Sequence, residues 1–209
     1  SAEKLLVELR ATKRKKLTKL GRKIARFPMD PRLAASLISA PDFGSLTELL
    51  TLVSFLSLQD IRERPIEHAH KADEAHQKFV DARSDFLTIL KMWDWIETLK
   101  REESKSSFKK TLKKNFLNFR RTVEWSETRD QLARICKTLG LKANTDKASY
   151  RAIHLPMIIG NLSNLARLKD RTQYQGARNQ SLMIFPGSGL FKKKHAWIVS
   201  TEIIETSRI

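Results

Sequence analysis

The chain has 209 residues, 41% of them hydrophobic, which is enough for one large domain or two small ones around a core. Its 40 basic residues exceed its 23 acidic ones. The formal net charge of +17 favours a polyanionic partner, nucleic acid ahead of an anionic membrane surface, over a merely solvated surface. One cysteine, Cys136, excludes an internal disulfide framework and fits a reducing compartment. It lies among apolar residues, as a buried structural thiol does.

The sequence contains no candidate membrane span. Its longest run without a charged side chain covers residues 152–166, and that run is too short and too rich in Asn and Ser to cross a bilayer. We also expect no signal peptide. We therefore expect a soluble, cytoplasmic protein.

The positive charge is uneven along the chain. Residues 1–41 hold 11 basic and 3 acidic residues, residues 42–103 hold 8 and 13, and residues 104–209 hold 21 and 7. An acidic middle between two basic ends suggests that the two ends face a polyanion.

The N-terminal part reads as helical. Its apolar residues are spaced for two short helices, the first carrying Leu5, Leu6 and Leu9 and the second carrying Leu17, Leu20, Ile24 and Phe27. Asp30 and Pro31 are the cap and first residue of a further helix that runs to about Ala40. Ser45 and Glu48 then match a capping box before LLTLVSFLSL, a mostly apolar helix that we expect to be buried.

The middle of the chain continues the helical pattern. A polar run ends in a short helix, and Ser84-Asp85 caps a helix with Phe86, Leu87, Leu90, Trp93 and Leu99 at helical spacing. A later helix ends at Gly140, and Asn144 or Asp146 can start one more.

The pattern changes near Leu165. Short pieces broken by glycine follow, and AWIVSTEIIET alternates like a strand with one wet face. Helices first and strands last predict an α+β fold whose β module begins near Leu165.

Several motifs that suggest catalysis fail on context. FPGSGLFKKK lacks the spacing and the final Ser or Thr of a nucleotide P-loop, and Asp-Glu-Ala-His at residues 73–76 follows polar letters instead of a buried strand. His68, His70 and His76 match no compact zinc spacing, so we predict no metal site. No serine lies in a nucleophile elbow, and we identify no catalytic residue.

Two basic stretches point to phosphate instead. KSSFKKTLKKNFLNFRR places lysines on neighbouring helical turns, although an ordinary exposed face explains any single lysine nearly as well. In the final loop, glycines would let backbone amides approach an anion, and Lys192, Lys193 and Lys194 add charge before a strand. Small OB-type barrels bind single-stranded nucleic acid with loops of this kind.

Taken in order, the same stretches resemble the DEAH-box RNA helicases. The end of the family's winged-helix domain is matched by LTKLGRKIARFPMDPRLAASLI. Its helicase-associated, or ratchet, domain is matched by LLTLVSFLSLQDIRERP, ADEAHQKF and SDFLTILKMW, and FLNFRRTVEW and QLARICKTLG continue that match. Its OB-fold is matched by YQGARNQSLMIFPGSGLFKKKHAWIVSTEIIETSRI. The RERP element and the IFPGSGLFKK loop are most similar to the bacterial HrpA type.

The resemblance implies a winged-helix remnant over residues 1–40, a ratchet helical bundle over 41–150 and a small, incomplete OB-type barrel over 151–209. It implies an accessory part of an ATP-dependent 3′-to-5′ RNA helicase that grips single-stranded RNA, with DNA left open. The RecA-type motor domains of the same parent would hold ATP and magnesium. No cofactor and no ATPase activity are expected in this chain.

The RNA contacts implied by the resemblance fall on the RERP element, the start of one helix, the OB region and the C-terminal end. They are Arg62, Arg64, Ser84, Arg178, Asn179, Ser188, Lys192, Lys193, Lys194, Thr206, Ser207 and Arg208. Two features depart from the family: Phe185 replaces a frequent histidine, and further barrel strands of the family are expected beyond Ile209. The alternative hypothesis is a protein-interaction scaffold whose basic N-terminal segment docks the motor domains or an activating partner.

Overall fold

The computed structural model describes residues 2–191 and 193–205, and in this part of the chain helices come first and a small sheet comes last. The helices are α1 (Ala2–Glu8), α2 (Lys19–Ile24), α3 (Pro31–Ser39), α4 (Leu46–Leu56), α5 (Ala69–Gln77), α6 (Asp85–Glu102), α7 (Lys105–Lys114), α8 (Phe119–Thr138) and α9 (Tyr150–Gly160). The strands are β1 (Thr12–Lys13), β2 (Lys16–Leu17), β3 (Leu165–Asp170), β4 (Gln173–Gln175), β5 (Ser181–Met183) and β6 (Trp197–Val199). The α+β prediction is confirmed, and the β module begins at Leu165 as expected.

The chain divides into two compact units. The first unit comprises residues 1–49, 135–186 and 191–209, and the second comprises residues 50–134 and 187–190. Among the described residues, no helix is both long enough and apolar enough to span a membrane.

The N-terminal basic stretch of the first unit contains a β-hairpin that the sequence reading missed. Strands β1 and β2 pair between α1 and α2, and Arg14 and Lys15 form the two-residue turn with φ values of 50° and 61°. A tight hairpin turn needs positive φ at both positions and usually signals itself by Asn-Gly. The Arg-Lys pair carries no such signal. After the hairpin, the Thr18 hydroxyl accepts the Gly21 N–H and starts α2.

Helices α3 and α9 pack closely in the first unit. The Asp30 carboxylate caps α3 by accepting the Arg32 N–H, as predicted. A Cβ at Gly160 would lie 2.1 Å from the Ser36 hydroxyl and 2.2 Å from the Arg32 carbonyl. Only glycine permits this approach of the α9 backbone to α3.

Two predicted helix starts are wrong in detail. Helix α4 follows Ser45, but the Ser45 hydroxyl donates to the carbonyl of Ala152, and Glu48 accepts from Ala148 and Asn144, so no capping box forms. Helix α9 begins neither at Asn144 nor at Asp146. Its N-cap is Ser149, whose hydroxyl accepts the Ala152 N–H. The side chains of Ser45, Glu48 and Asn144 are used instead in contacts between segments distant in sequence.

Strands β3 to β6 form one antiparallel sheet in the order β5-β4-β3-β6. Ala166 and Tyr174 point into the first unit and are each 1% exposed. Arg167 is paired with Gln175 on one side and with Trp197 on the other, so these three side chains share the outer face.

The second unit is a bundle around α4, whose burial is confirmed. Its centre is Trp125, which is fully buried, meets Phe55 and Trp93 edge-on, and donates its indole N–H to the Thr51 carbonyl at 3.0 Å. Buried tryptophan is stable here because its one polar group has a partner.

Helix α6 begins after Ser84 as predicted, but it buries a different face. The fully buried residues are Thr88, Ile89, Met92 and Ile96, while the predicted apolar line, Phe86, Leu87, Leu90, Trp93 and Leu99, is only half-buried. Further along, Gly140 ends α8 with a φ of 72°, as expected for a left-handed cap.

Candidate nucleic-acid interface

In the second unit, Arg62 lies beside a carboxylate. Its guanidinium donates to both oxygens of Asp60, with Nη2 2.6 Å from Oδ2. The backbone on either side is fixed, because Glu63 donates its N–H to Phe116 and Ile61 accepts from the Asn118 N–H. Burial works against the charge of Arg62, yet the hydrogen bonds to Asp60 and the charge of Asp60 raise its pKa. The arginine is therefore held charged in a fixed position.

Arg64 is paired in a more open setting. It binds Asp73 of α5 through Nε at 2.7 Å and Nη2 at 2.9 Å, and its side chain is 63% exposed. The hydrogen bond from Arg64 lowers the pKa of Asp73. Both charges persist at neutral pH, and the remaining edge of the guanidinium faces outward.

The Asp-Glu-Ala-His letters at residues 73–76 form part of this support. Asp73 holds Arg64, and His76 Nε2 lies 3.2 Å from the Phe116 carbonyl, which only an N–H can satisfy. Burial lowers the pKa of His76, so the ring is neutral and donates this bond. The tetrad thus fixes the RERP element and the turn at Phe116.

Ser84 is a helix cap in this structure. Its hydroxyl accepts the Phe86 N–H at 3.1 Å, and the residue is only 4% exposed. Just before it, the buried Asp81 binds Lys91 and Arg83. Although burial alone would raise the pKa of Asp81, the hydrogen bonds from Arg83 lower it strongly. The predicted contact at Ser84 therefore concerns the start of α6 rather than an open hydroxyl.

The loop of residues 187–190 binds an acid of the second unit. The Ser188 hydroxyl donates to one oxygen of Asp85 at 2.6 Å, and the Gly189 N–H donates to the other at 2.9 Å. A Cβ at Gly189 would lie 2.7 Å from the Asp81 carbonyl, so glycine is required there. The groups that the sequence reading assigned to phosphate hold a carboxylate here. The charge of Asp85 is also the smallest of the causes that raise the pKa of Arg62.

In the first unit, Arg178 and Asn179 form the turn between β4 and β5. Both have positive φ, 57° and 59°, and both are exposed. Asn179 accepts from Gln175 at 2.8 Å, whereas Arg178 approaches Glu8 only to 3.9 Å. A left-handed conformation is common for asparagine and unfavourable for arginine.

The lysines of the final loop lead directly into β6. Lys193 and Lys194 are both exposed, and the Lys193 carbonyl accepts from the Tyr174 hydroxyl at 3.4 Å. Four other predicted contacts lie outside the described residues. They are Lys192, Thr206, Ser207 and Arg208.

The sequence did not lead us to predict three residues of the site, Asp60, Asp85 and Trp197. Asp85 meets Ser188 and Gly189 only through the fold. Asp60, in contrast, lies two residues before Arg62, so the spacing Asp-x-Arg was a local signal for that pair. Trp197 is 63% exposed on the outer face of the sheet. The alternation around β6 was its only signal. Within the described residues, no three His, Cys, Asp or Glu side chains gather in a way that could hold a metal ion.

Comparison with known families identifies three modules in this order. Residues 2–29 match the winged-helix helicase-associated domain, residues 30–89 the ratchet-like helicase-associated domain, and residues 153–209 an oligonucleotide/oligosaccharide-binding fold. The chain belongs to the helicase-associated region of the DEAH-box RNA helicases. The family resemblance seen in the sequence is thereby confirmed.

Individual relatives agree with the modules. The chain is 39% identical over 204 residues to the ATP-dependent RNA helicase HrpA homolog of Haemophilus influenzae and 40% identical over 195 residues to HrpA of Escherichia coli. It is 28% identical over 193 residues to the human ATP-dependent RNA helicase DHX33. These matches cover 97%, 93% and 92% of the chain but only 16%, 15% and 26% of the relatives. The chain thus spans about a sixth to a quarter of the length of the relatives it matches.

Proposed function

We propose that this chain is the RNA-guiding part of an ATP-dependent DEAH-box RNA helicase, which holds a single strand by its phosphates while motor domains elsewhere in the parent hydrolyse ATP. The observation that carries the proposal is the ordered match of all three modules to proteins named RNA helicases. The net charge of +17 supports it, because phosphate contacts supply most of the affinity for nucleic acid. A cytoplasmic location stays a prediction.

The cations among the predicted contacts differ in their surroundings. Lys193 and Lys194 are exposed at the entrance to β6, and Arg178 is held only loosely at 3.9 Å from Glu8. Arg62 and Arg64 instead form salt bridges with Asp60 and Asp73. We assign phosphate binding chiefly to the first three residues and a positioning role to the RERP arginines. Arg64 can still offer the free edge of its guanidinium.

Salt dependence tests the proposal. Fluorescence anisotropy of a labelled oligo(U) RNA should report binding that weakens as salt rises, with a slope of about 0.7 in log affinity per log salt for each phosphate contacted. Absence of binding at low salt, or an affinity independent of salt, rejects the proposal. Oligo(dT) in parallel decides whether DNA is accepted as well.

Charge reversal assigns the contacts. The double change Lys193→Glu with Lys194→Glu should lower the salt slope by about 1.4, since two single-strand phosphate contacts are lost. Lys137→Glu with Lys142→Glu is the matched control, because these exposed lysines lie outside the predicted contacts and give the same change in net charge. Equal losses in both variants would show that general charge, rather than this loop, holds the strand.

A protein-interaction scaffold is the second candidate, and one feature favours it. A shallow open hollow of the first unit is lined by Leu139 and four cations, Lys19, Arg22, Lys23 and Arg26. An acidic segment of the motor domains or of an activating partner matches this surface in charge. Lys19→Glu with Lys23→Glu should then abolish binding of separately purified motor domains but leave RNA binding intact. The opposite pattern favours the RNA role for the whole basic surface.

A further inference from the structure

The outer face of the four-stranded sheet carries a continuous row of side chains. Trp197 is directly opposite Arg167, Arg167 is opposite Gln175, and Gln175 is opposite Ser181. Paired residues of antiparallel strands point to the same face with their Cβ atoms about 5 Å apart. The row therefore crosses the whole sheet on the side away from the buried Ala166 and Tyr174.

Trp197 differs from the other three tryptophans of the chain. Trp125 is fully buried, Trp93 packs on Trp125 at 4.7 Å, and Trp95 packs on Phe79 at 5.3 Å. Trp197 instead leaves 63% of its surface open. A large indole exposed on a sheet face offers a flat apolar surface on which another ring can stack.

The chemistry of the row fits an unpaired nucleotide. Arg167 supplies an exposed cation directly opposite the indole, Gln175 and Ser181 supply neutral donors and acceptors, and none of the four residues is acidic. A base can stack on Trp197 while its phosphate approaches Arg167. In a duplex the faces of the bases are covered by their neighbours, so the platform suits single strands alone.

The row also continues the predicted contacts at both ends. Ser181 lies two residues after Asn179, and Trp197 lies three residues after Lys194. All of these residues belong to the first unit. A strand held by the lysines before β6 and by the turn between β4 and β5 would cross the row in between.

We propose that Trp197, Arg167, Gln175 and Ser181 form a base-stacking platform for single-stranded nucleic acid. This inference rests on the proposed function and adds to it a base contact outside the glycine–lysine loop. It commits the sheet face to unpaired bases rather than to an acidic protein segment.

Tryptophan fluorescence tests the platform directly. Unlabelled oligo(U) RNA should quench part of the emission of the full chain. Trp197→Phe should remove most of that quenching, since Trp125 is buried and Trp93 and Trp95 are half-buried against other aromatic rings. Trp197→Ala should weaken binding, measured by anisotropy, about fivefold or more. Arg167→Gln should lower the salt slope by about 0.7. Duplex RNA of equal length should give no Trp197-dependent quenching.

The outcomes separate the two proposals. Salt-dependent RNA binding without quenching from Trp197, and with the affinity of Trp197→Ala unchanged, overturns the platform and leaves the proposed function standing. No binding in anisotropy overturns both. Equal quenching by polyglutamate overturns the assignment to nucleic acid. Arg167→Gln keeps the test valid if Trp197→Ala fails to fold.

Discussion

At the scale of single residues, Arg178 is held in a conformation that arginine rarely adopts. Its φ of 57° places it in the left-handed region, which is unfavourable for a side chain with a Cβ by about 1 kcal/mol. Its only ion-pair partner among the described residues, Glu8, is 3.9 Å away and does not account for that strain. Backbone strain at an exposed cation is consistent with a binding role.

Arg178→Gly should therefore separate stability from binding. We expect a free energy of unfolding that is unchanged or higher by up to about 1 kcal/mol, together with weaker RNA binding. Arg171→Gly is the matched control, because Arg171 also has a positive φ, 38°, and its replacement removes one charge. Urea unfolding and anisotropy measure the two quantities. If both variants lose affinity equally, Arg178 has no special contact.

A second residue-scale prediction concerns pH and His76. Burial lowers the pKa of His76, so the folded state keeps the ring neutral where the unfolded chain, with a pKa of about 6.5, already binds a proton. The contribution of the neutral His76 to the free energy of unfolding is fully present above about pH 6.5. It is lost as the pH falls below that value, because the unfolded state then binds more protons than the folded state. The urea concentration at the unfolding midpoint should decrease as the pH is lowered from about 7.5 to about 5.5.

His76→Gln provides the comparison for this pH effect. Glutamine keeps an N–H that can donate to the Phe116 carbonyl but does not titrate in this range. The variant should show a smaller fall in the urea midpoint than the unmodified chain. Parallel pH profiles would mean that His76 titrates normally in the folded state.

At the scale of elements, helix α7 carries positive charges that repel one another. It contains five exposed lysines and no acid, and its buried residues are Phe108 and Leu112. The lysines are Lys105, Lys109, Lys110, Lys113 and Lys114. Several are separated by three or four residues, a spacing at which like charges destabilise a helix by about 0.2–0.5 kcal/mol per pair.

Lys110→Glu should relieve this repulsion. The new carboxylate would face Lys114 four residues later and Lys113 three residues later, both in favourable order. We expect the free energy of unfolding to rise by about 0.5–1 kcal/mol at low ionic strength and the gain to shrink as salt is added. Lys142→Glu, in the loop after α8, makes the same change of net charge outside any helix. A gain of equal size in that control would assign the effect to net charge.

The elements also show what the sequence could foretell. Helices α3 and α6 were predictable because Asp30 and Ser84 use local caps, and these signals lie within a few residues of the structure they start. The hairpin at Arg14 and Lys15 was missed because its turn uses no glycine. Ser45, like Glu48 and Asn144, bonds to a segment about a hundred residues away. Local patterns cannot contain that information.

The candidate site followed the same division. The cations could be placed from the resemblance to a family. The partner of Arg64 could not, because Asp73 lies nine residues away on α5, whereas Asp60 lies only two residues before Arg62. The glycine loop was predicted to bind an anion, and Ser188 and Gly189 do bind one. That anion is a carboxylate of the chain itself. Only the geometry of the folded chain could reveal that partner.

At the scale of the whole molecule, the net charge of +17 gives salt two opposite effects. Salt screens the repulsion among like charges in the folded chain, so the melting temperature of the free chain should rise with added salt. Salt also makes the release of counterions on RNA binding less favourable, so the affinity for RNA should fall. Because a ligand stabilises the folded state in proportion to the logarithm of its concentration over Kd, the stabilisation by RNA should shrink as salt rises.

Thermal melts of the free chain and of the chain with excess oligo(U), at about 50 mM and about 200 mM salt, test both effects together. We expect the two melting temperatures to converge as salt rises. The melting temperature of the free chain should increase, and the further increase caused by RNA should become smaller. The variant Lys193→Glu with Lys194→Glu should converge less, because fewer counterions are released when it binds. A difference between free and bound chain that does not depend on salt would mean that contacts other than phosphates hold the RNA, and the basic surface would then need another partner.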